Sequence, residues 1–270
     1  MIARDQRSQR TIGTSSMTTI MVAPNGARKT TQDHPAVPVT DQELLDTAVA
    51  CFDAGARALH AHIRTNEQVH LLDVERYETL IQSLGERLPE LQVQVTSEAA
   101  GIYESDAQID LLSRLKAPWV SVAIREILRS QEPQTLQPFF QQLLDKSRVQ
   151  FILYDVDDFQ TLTSLVEREI IRTESLEVLY VLGRYSTNQE STPDQLDPFL
   201  EFRDRAPTHI KPVREMICAF GRGQIPCLLR AASEGMDLRI GFENGVWLPD
   251  GEIAENNAAL VTALVGLLPA

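Results

Sequence analysis

The chain alternates between short runs rich in β-branched residues and longer amphipathic segments, and the alternation repeats eight times from Thr18 onward. This order predicts parallel strands joined by crossover helices, with helices outside the sheet and layers of side chains inside it. A closed barrel meets both needs, so the sequence predicts an α/β fold of the (β/α)8 TIM-barrel class with eight parallel strands. A length of 270 residues suits such a barrel as one domain.

The predicted elements cover most of the chain. We expect strands at residues 19–23, 58–63, 91–96, 119–123, 150–154, 178–182, 213–219 and 238–242. We expect helices at residues 41–54, 73–88, 106–115, 136–146, 159–172, 193–203, 224–233 and 255–267. The first helix begins with a capping box formed by Thr40 and Glu43 and is followed by Gly55, a residue favoured after helix ends.

The charge of the chain limits its partners. A formal net charge of -13 would repel nucleic acids and anionic membranes at long range. No apolar stretch approaches the ~20 residues that a membrane-spanning helix needs. We therefore expect a soluble protein that acts on small molecules and holds any anionic substrate with a local group of donors.

The cysteines and the N-terminus indicate the cellular setting. Cys51, Cys218 and Cys227 are scattered and lack the Cys-x-x-Cys spacing of metal or redox sites. They predict reduced packing residues in a cytoplasmic protein. Residues 1–16 are polar and lack the apolar core of a secretory signal. We expect them to form a disordered extension before a single catalytic domain at residues 17–270.

Two closely spaced histidines indicate a metal site. His60 and His62 end the second predicted strand, where side chains two residues apart share a face. Active sites of such barrels lie at the carboxyl ends of the strands, and Glu243 follows the predicted last strand there. Two imidazoles and one carboxylate are typical of zinc with an open position for substrate. The alternative is that one histidine packs in the core and the other is a surface residue.

Several candidate substrate ligands fall at the same end of the barrel. Asn25 and Gly26 follow the first predicted strand. Arg239 precedes Glu243 by an even number of residues, so on an unbroken strand both side chains share the interior face; a structural ion pair is the alternative. Residues Gly221, Arg222 and Gly223 follow the seventh predicted strand, and their backbone N–H groups could cradle an anion or form only a tight connection.

Further polar residues near predicted strand ends carry weaker signals. Ser97 and Ser121 are candidate hydroxyl donors to a substrate, although strand capping would also explain them. His34 and His70 lie in loops that could cover the site, and His209 precedes the seventh strand at the opposite end. We assign no ligand role to these three histidines.

Several of these segments carry a family resemblance. The chain resembles the β-keto acid cleavage enzymes in residues 23–27 (APNGA), 33–40 (DHPAVPVT), 54–56 (AGA), 60–64 (HAHIR) and 239–244 (RIGFEN), and in Gly251 and residues 256–258 (NNA). The resemblance runs from about Thr18 to the end and is most specific in the first and last thirds.

The resemblance implies a function. It implies a zinc-dependent (β/α)8 barrel that exchanges acyl groups between a β-keto acid and acetyl-CoA, giving acetoacetate and a new CoA ester by a retro-Claisen course. His60, His62 and Glu243 match the family's metal ligands, and Arg239 matches an arginine that assists substrate and transition state. Ser97 lies near a substrate-contacting serine. The resemblance also implies a homo-oligomer.

Two departures from the family leave alternatives open. Asn244 stands where the family usually has a proton-transferring aspartate, and an amide cannot act as a carboxylate base. Residues 151–155 lack the acidic residue usual before the aromatic–Asp pair, and Arg125 and Glu126 stand where the family is small and polar. The alternatives are therefore an altered proton transfer, another metal-assisted reaction such as aldol cleavage or decarboxylation of a keto acid, and a metal-binding barrel without turnover.

Overall fold

Eight parallel strands close into a barrel in the computed structural model, which describes residues 18–269. The described residues form ten strands, of which β3 and β4 pair with each other outside the barrel: β1 (Ile20–Val22), β2 (Ala58–Ala61), β3 (Ile63–Arg64), β4 (His70–Leu71), β5 (Gln92–Thr96), β6 (Trp119–Ala123), β7 (Arg148–Leu153), β8 (Glu177–Leu182), β9 (Arg214–Ala219) and β10 (Asp237–Ile240). The barrel order is β1-β10-β9-β8-β7-β6-β5-β2, and β2 pairs with β1 to close it. The predicted (β/α)8 fold is confirmed. The predicted extension at residues 1–16 lies outside the described residues.

Helices surround the barrel. They are α1 (Asp41–Asp53), α2 (Val74–Arg87), α3 (Ser105–Arg114), α4 (Ile124–Ile127), α5 (Gln137–Lys146), α6 (Val156–Glu167), α7 (Asp197–Arg205), α8 (Gln224–Ser233) and α9 (Asn257–Leu267). The capping box at α1 is present: Thr40 Oγ1 accepts from Glu43 N, and the Glu43 carboxylate accepts from Thr40 N. Between residues 18 and 269, no helix is both long and apolar enough to cross a membrane.

The strands divide their side chains between two apolar clusters. Alternate residues such as Val22, Leu59 and Val120 face the helices and join the large core. Residues of the other parity, including Met21 and Leu179, form a smaller cluster inside the barrel. This is the period-two pattern expected of barrel strands.

Two strands end two residues earlier than the sequence predicted, and both ends lie at the candidate site. The second barrel strand stops at Ala61, because Ile63–Arg64 pairs antiparallel with His70–Leu71 instead of continuing the barrel. The last strand stops at Ile240 because Gly241 has φ +146° and turns the chain. Glu243 therefore lies in the loop after β10, not at the strand end, and the premise of an unbroken strand to Arg239 was wrong.

Some helix bounds also differ from the predictions. The helix predicted at 159–172 spans Val156–Glu167, because Asp155 caps its first turn by accepting from Asp158 N. A 3₁₀ turn, Pro133–Leu136, leads into the helix predicted at 136–146. The first four residues of the helix predicted at 193–203 also form a 3₁₀ turn, Pro193–Leu196. The four-residue helix α4 after β6 was not predicted.

Candidate metal centre and active site

Three side chains converge at the carboxyl end of the barrel. The Nε2 atoms of His60 and His62 are 3.1 Å apart, and Glu243 Oε2 lies 3.8 Å from the first and 3.6 Å from the second. Ligands about 2.0–2.2 Å from a tetrahedral zinc lie about 3.3–3.6 Å from one another. Glu243 Oε2 is buried without a hydrogen-bond partner among residues 18–269. The observed separations of 3.1, 3.6 and 3.8 Å lie close to this range, so the three residues fit a divalent metal ion of the size of zinc.

A chain of amides orients the first imidazole. His60 Nδ1 lies 2.7 Å from Gln94 Oε1, and Gln94 Nε2 donates to Gln150 Oε1 at 3.0 Å. If Nδ1 carries the proton, Nε2 presents its lone pair to the cluster, as a metal ligand must. Burial, reinforced by Arg239, lowers the pKa of His60 to about 4, and burial also lowers the pKa of His62 well below its usual range. Both rings are therefore neutral near pH 7, the form that binds metal.

Backbone geometry and charge hold the carboxylate in place. Burial alone would raise the pKa of Glu243, but Arg239 together with His60, Arg184 and Arg64 outweighs burial and holds the pKa below its ordinary value. Arg239 Nη2 donates to Glu243 Oε1 at 3.0 Å. Gly26, at φ +64°, packs so closely on Glu243 that an added Cβ would overlap the Glu243 side chain. The first loop and the last strand thus fix the carboxylate together.

A buried arginine organises the loop after β1. Arg64 is only 2% exposed, and its guanidinium donates to the carbonyl oxygens of residues 25, 26, 27, 29 and 68. Asn25 Nδ2 in turn donates to Pro38 O and His62 O, both at 2.9 Å. The segment that contains His62 and Arg64 and the loop after β1 are therefore joined by hydrogen bonds.

Two connected cavities open beside the metal ligands. The inner one is lined by His60, Arg239 and Glu243. Its remaining lining residues are Thr96, Glu98, Ala123, Ile152, Tyr154, Val181, Arg184 and Phe220. The outer one shares Glu98, Arg184, Phe220 and Glu243 with it and also reaches Asn25 and Gly26. Two of the predicted substrate-binding residues therefore lie at the mouth of the site.

Sequence reasoning missed Glu98 and Arg184, which line both cavities. Glu98 Oε2 lies 3.9 Å from His62 Nε2, and Glu98 Oε1 lies 3.7 Å from Arg184 Nη2. Burial, together with Glu243 and Glu126, raises the pKa of Glu98 to about 7. A usable signal was present, because each residue comes two positions after a predicted strand end, where this fold places catalytic side chains.

The two predicted serines, Ser97 and Ser121, lie outside the lining of the two cavities. Ser97 Oγ donates to Ser121 O at 3.0 Å, and Ser121 Oγ is buried without a partner in the described range. Neither residue lines the cavities beside the metal ligands, whereas the neighbouring Thr96 does. A contact of either serine with substrate stays a prediction.

The glycine turn after β9 binds a side-chain carboxylate of the protein, that of Glu190. Arg222 N donates to the Glu190 carboxylate at 2.8 Å, and Gly221 N donates to Asn244 O at 3.0 Å. The Gly223 Cα packs against the Ser191 backbone. Of the predicted anion cradle at Gly221, Arg222 and Gly223, the Arg222 N–H is thus taken by Glu190 and the Gly221 N–H by a carbonyl, and these residues do not line the two cavities.

The amide that departs from the family pattern is buried away from the cavities. Asn244 is 2% exposed, and neither side-chain polar atom has a hydrogen-bond partner among residues 18–269. It lines neither of the two cavities beside the metal ligands. A catalytic role for Asn244 therefore stays a prediction.

The remaining histidines differ in position. His34 packs its ring on Phe242 at 4.5 Å, and His209 is exposed in a 3₁₀ turn before β9. His70 is closer to the site: its ring lies 5.0 Å from that of His62, and its Nε2 bonds Glu98 O at 2.9 Å. His70 supports the second histidine and is not part of the convergent set.

The fold and site together define a (β/α)8-barrel protein with a candidate metal centre at the carboxyl ends of its strands. Comparison with known proteins narrows this class. The family model described as beta-keto acid cleavage enzyme matches residues 17–270. The chain belongs to this family of enzymes, as the resemblance in the sequence had indicated.

Similar proteins agree with this family. The chain is 25% identical over 250 residues to a 3-keto-5-aminohexanoate cleavage enzyme of Acetoanaerobium sticklandii, covering 90% of this chain and 88% of the relative. It is 24% identical over 281 residues to a 3,5-dioxohexanoate:acetyl-CoA acetone transferase of Paraburkholderia graminis, covering 90% and 86%. A solved ternary complex of ObcA with a C4-CoA adduct and oxalate aligns at a TM-score of 0.70 and 15% identity, over 86% of this chain and 63% of ObcA. At that identity the structure supports the fold alone.

Proposed function

We propose that the chain is a zinc-dependent enzyme that exchanges acyl groups between a β-keto acid and acetyl-CoA. The products are acetoacetate and the CoA ester of the remaining acyl group, so that one carbon–carbon bond breaks and another forms. The observation that carries the proposal is the convergence of His60, His62 and Glu243 beside a cavity that also contains Arg239. Family membership and the acetyl-CoA transferase among the relatives support it.

The metal ligands and the arginine have separate roles in this proposal. His60, His62 and Glu243 would hold the ion, which when bound polarises the keto oxygen of the substrate as a Lewis acid. Arg239 orients Glu243 through the bond to Oε1. Its Nε is buried without a partner in the described residues, so it retains a donor for a substrate oxygen on which negative charge develops.

Proton transfer requires a second carboxylate. The carbon between the keto group and the carboxylate must lose a proton before it can attack the thioester, and Asn244 cannot accept one. Glu98 is the acidic side chain that shares the inner cavity with Glu243. We assign the proton to Glu98 Oε2, the oxygen that lies 3.9 Å from His62 Nε2. The altered chemistry suggested by Asn244 would then be a change of base, not a loss of function.

The test combines metal analysis with turnover. Purified protein should contain zinc near one ion per chain and should release acetoacetate from at least one β-keto acid only when acetyl-CoA is present. Zinc without turnover on a broad panel would favour a different metal-assisted reaction, and protein without bound metal after purification in zinc would reject the site. Action in the cytoplasm and as a homo-oligomer stay predictions that cell fractionation and light scattering can check.

A further inference from the structure

Arg184 occupies an unusual place at the barrel mouth. It lines the inner cavity, the outer cavity and a third groove that also contains Tyr154, Tyr185 and Phe199. Its side chain is 15% exposed. The guanidinium therefore lies where these three spaces meet, largely shielded from solvent, and faces whatever enters the site.

The guanidinium has no committed hydrogen-bond acceptor. Within residues 18–269, its contacts are the Glu98 carboxylate at 3.7 Å and the rings of Phe220 and Tyr185 at 5.4 and 5.9 Å. A separation of 3.7 Å is too long for a hydrogen bond. No Arg184 nitrogen is among the side-chain atoms of the described residues that are buried without a partner. Its N–H donors are therefore open to the cavities, where a charged acceptor on a ligand can bond them.

Other partly buried arginines of the chain show the contrast. Arg125 bonds the carboxylates of Asp155 and Asp158, and Arg148 bonds both oxygens of Glu177. Arg64 is committed to the carbonyl oxygens of the first loop. Arg184 therefore differs from structural arginines of the same protein by the absence of such bonds among the described residues.

The inner cavity is lined by Arg184 as well as by the metal ligands His60 and Glu243. The wall that they share includes Ala123, Ile152, Val181 and Phe220, which are apolar. Such a wall suits a short hydrocarbon chain, while Arg184 suits an anionic oxygen group that the chain carries. From this arrangement, and resting on the proposed function, we propose that Arg184 binds a second carboxylate of the β-keto acid. The substrate class would be dicarboxylic β-keto acids.

An anionic oxygen group could also come from a phosphate of coenzyme A. The pantetheine arm separates that phosphate from the reacting thioester, whereas a distal carboxylate is only a few bonds from the keto group. Because Arg184 and the metal ligands line the same cavity, the carboxylate is the source to which the proposal commits. The two sources predict different kinetic responses to the same substitution.

The binding test uses unreactive acids, so it does not depend on turnover. Calorimetry of the zinc-loaded protein with glutarate and butyrate measures the contribution of the second carboxylate. We expect glutarate to bind about tenfold or more tightly than butyrate, as for a charged hydrogen bond. Arg184→Met should remove this preference, and Arg184→Lys should retain part of it. Equal binding of the two acids, or an unchanged preference in Arg184→Met, would overturn the proposal.

Arg222→Met is the matched control, because Arg222 is an arginine of the same barrel end whose guanidinium lies over Trp247 and lines neither cavity. It should keep the preference for glutarate. The thermal midpoints of all variants establish that they are folded, and the lysine variant keeps the test informative if the methionine variant is not.

Kinetics separate the two sources of the anion and the two proposals. Arg184→Met should raise KM for a dicarboxylic β-keto acid and leave KM for acetyl-CoA unchanged; the reverse pattern would assign Arg184 to coenzyme A and overturn the proposal. If no β-keto acid is turned over but glutarate binding depends on Arg184, the proposed function fails while the anion site stands. If β-keto acids are turned over without a preference for dicarboxylic substrates, the proposed function stands and the proposal for Arg184 fails.

Discussion

The two sides of the barrel mouth are built differently. On the side of β1, β2 and β10, polar groups bind the protein itself: Arg64 holds the first loop, Asn25 holds the carbonyl of His62, and Arg239 holds Glu243. On the side of β5 and β8, the carboxylate of Glu98 and the guanidinium of Arg184 face open space.

This contrast separates two tasks of the site. The first side is preorganised, which suits a metal centre whose ligands must keep their geometry. The second side presents charges that a substrate can meet directly, which suits specificity and proton transfer. We expect substitutions on the two sides to have different consequences for metal content, turnover and substrate choice.

The largest effect should follow removal of a metal ligand. His60→Ala or Glu243→Ala should lose the ion and reduce kcat/KM by about 10³-fold or more, the loss of several kcal/mol of transition-state stabilisation. Metal content after dialysis and acetoacetate release measure the two effects. The exposed His209→Ala, at the other end of the barrel, should retain both metal and activity. Full zinc occupancy in both ligand variants would contradict the site.

The next largest effect should come from the second side, that of β5 and β8. Glu98→Gln should keep the metal and lower kcat by about 10²–10⁴-fold, as expected for loss of a general base. Asn244→Asp should change kcat little, because that side chain is buried outside the two cavities. Metal content and kcat on one β-keto acid test both statements. A large gain of activity in Asn244→Asp would instead indicate that the natural chain has lost its base at that position.

Arg239 tests whether the preorganised side also contacts substrate. Arg239→Met should retain zinc but lower kcat/KM by about 10²-fold, because it removes a charged donor from the cavity. Without the guanidinium, the pKa of Glu243 should rise, so metal binding should weaken at low pH first. Arg239→Lys keeps the charge and should lose less. A normal kcat/KM in Arg239→Met would reduce the arginine to a structural ion pair.

The preorganised side could be predicted from the sequence because its parts are close together in local patterns. His60 and His62 are two residues apart, and Arg239 precedes Glu243 by four. Their convergence is correct although both strands end early, since the contacts depend on the loops after β2 and β10 as well as on strand periodicity. The barrel itself followed from eight repeats of one pattern.

The second side, that of β5 and β8, could not be predicted in the same way. Glu98 and Arg184 are far apart in sequence and come from non-adjacent strands, so their proximity is a property of the closed barrel. The glycine turn at 221–223 shows the reverse problem. Its local pattern indicated an anion site, but Glu190 from a different loop fills it, which no local pattern indicates.

The smallest predicted effect concerns His70, which joins the two sides by contacting His62 and Glu98. Burial lowers the pKa of His70 to about 4, whereas a histidine in an unfolded chain titrates near ~6.5. Between these values the unfolded state binds more protons, so the folded state loses stability as the pH falls through 6.5 toward 4.

The substitution His70→Gln keeps a donor for Glu98 O and removes the titrating ring. Zinc-loaded wild type should lose about 2 kcal/mol more of its unfolding free energy between about pH 7 and pH 5 than His70→Gln does. Urea unfolding at the two pH values measures the difference, with His209→Gln as control. An equal loss in wild type and His70→Gln would mean that His70 does not remain neutral between the two sides, and that they are less firmly joined than the contacts indicate.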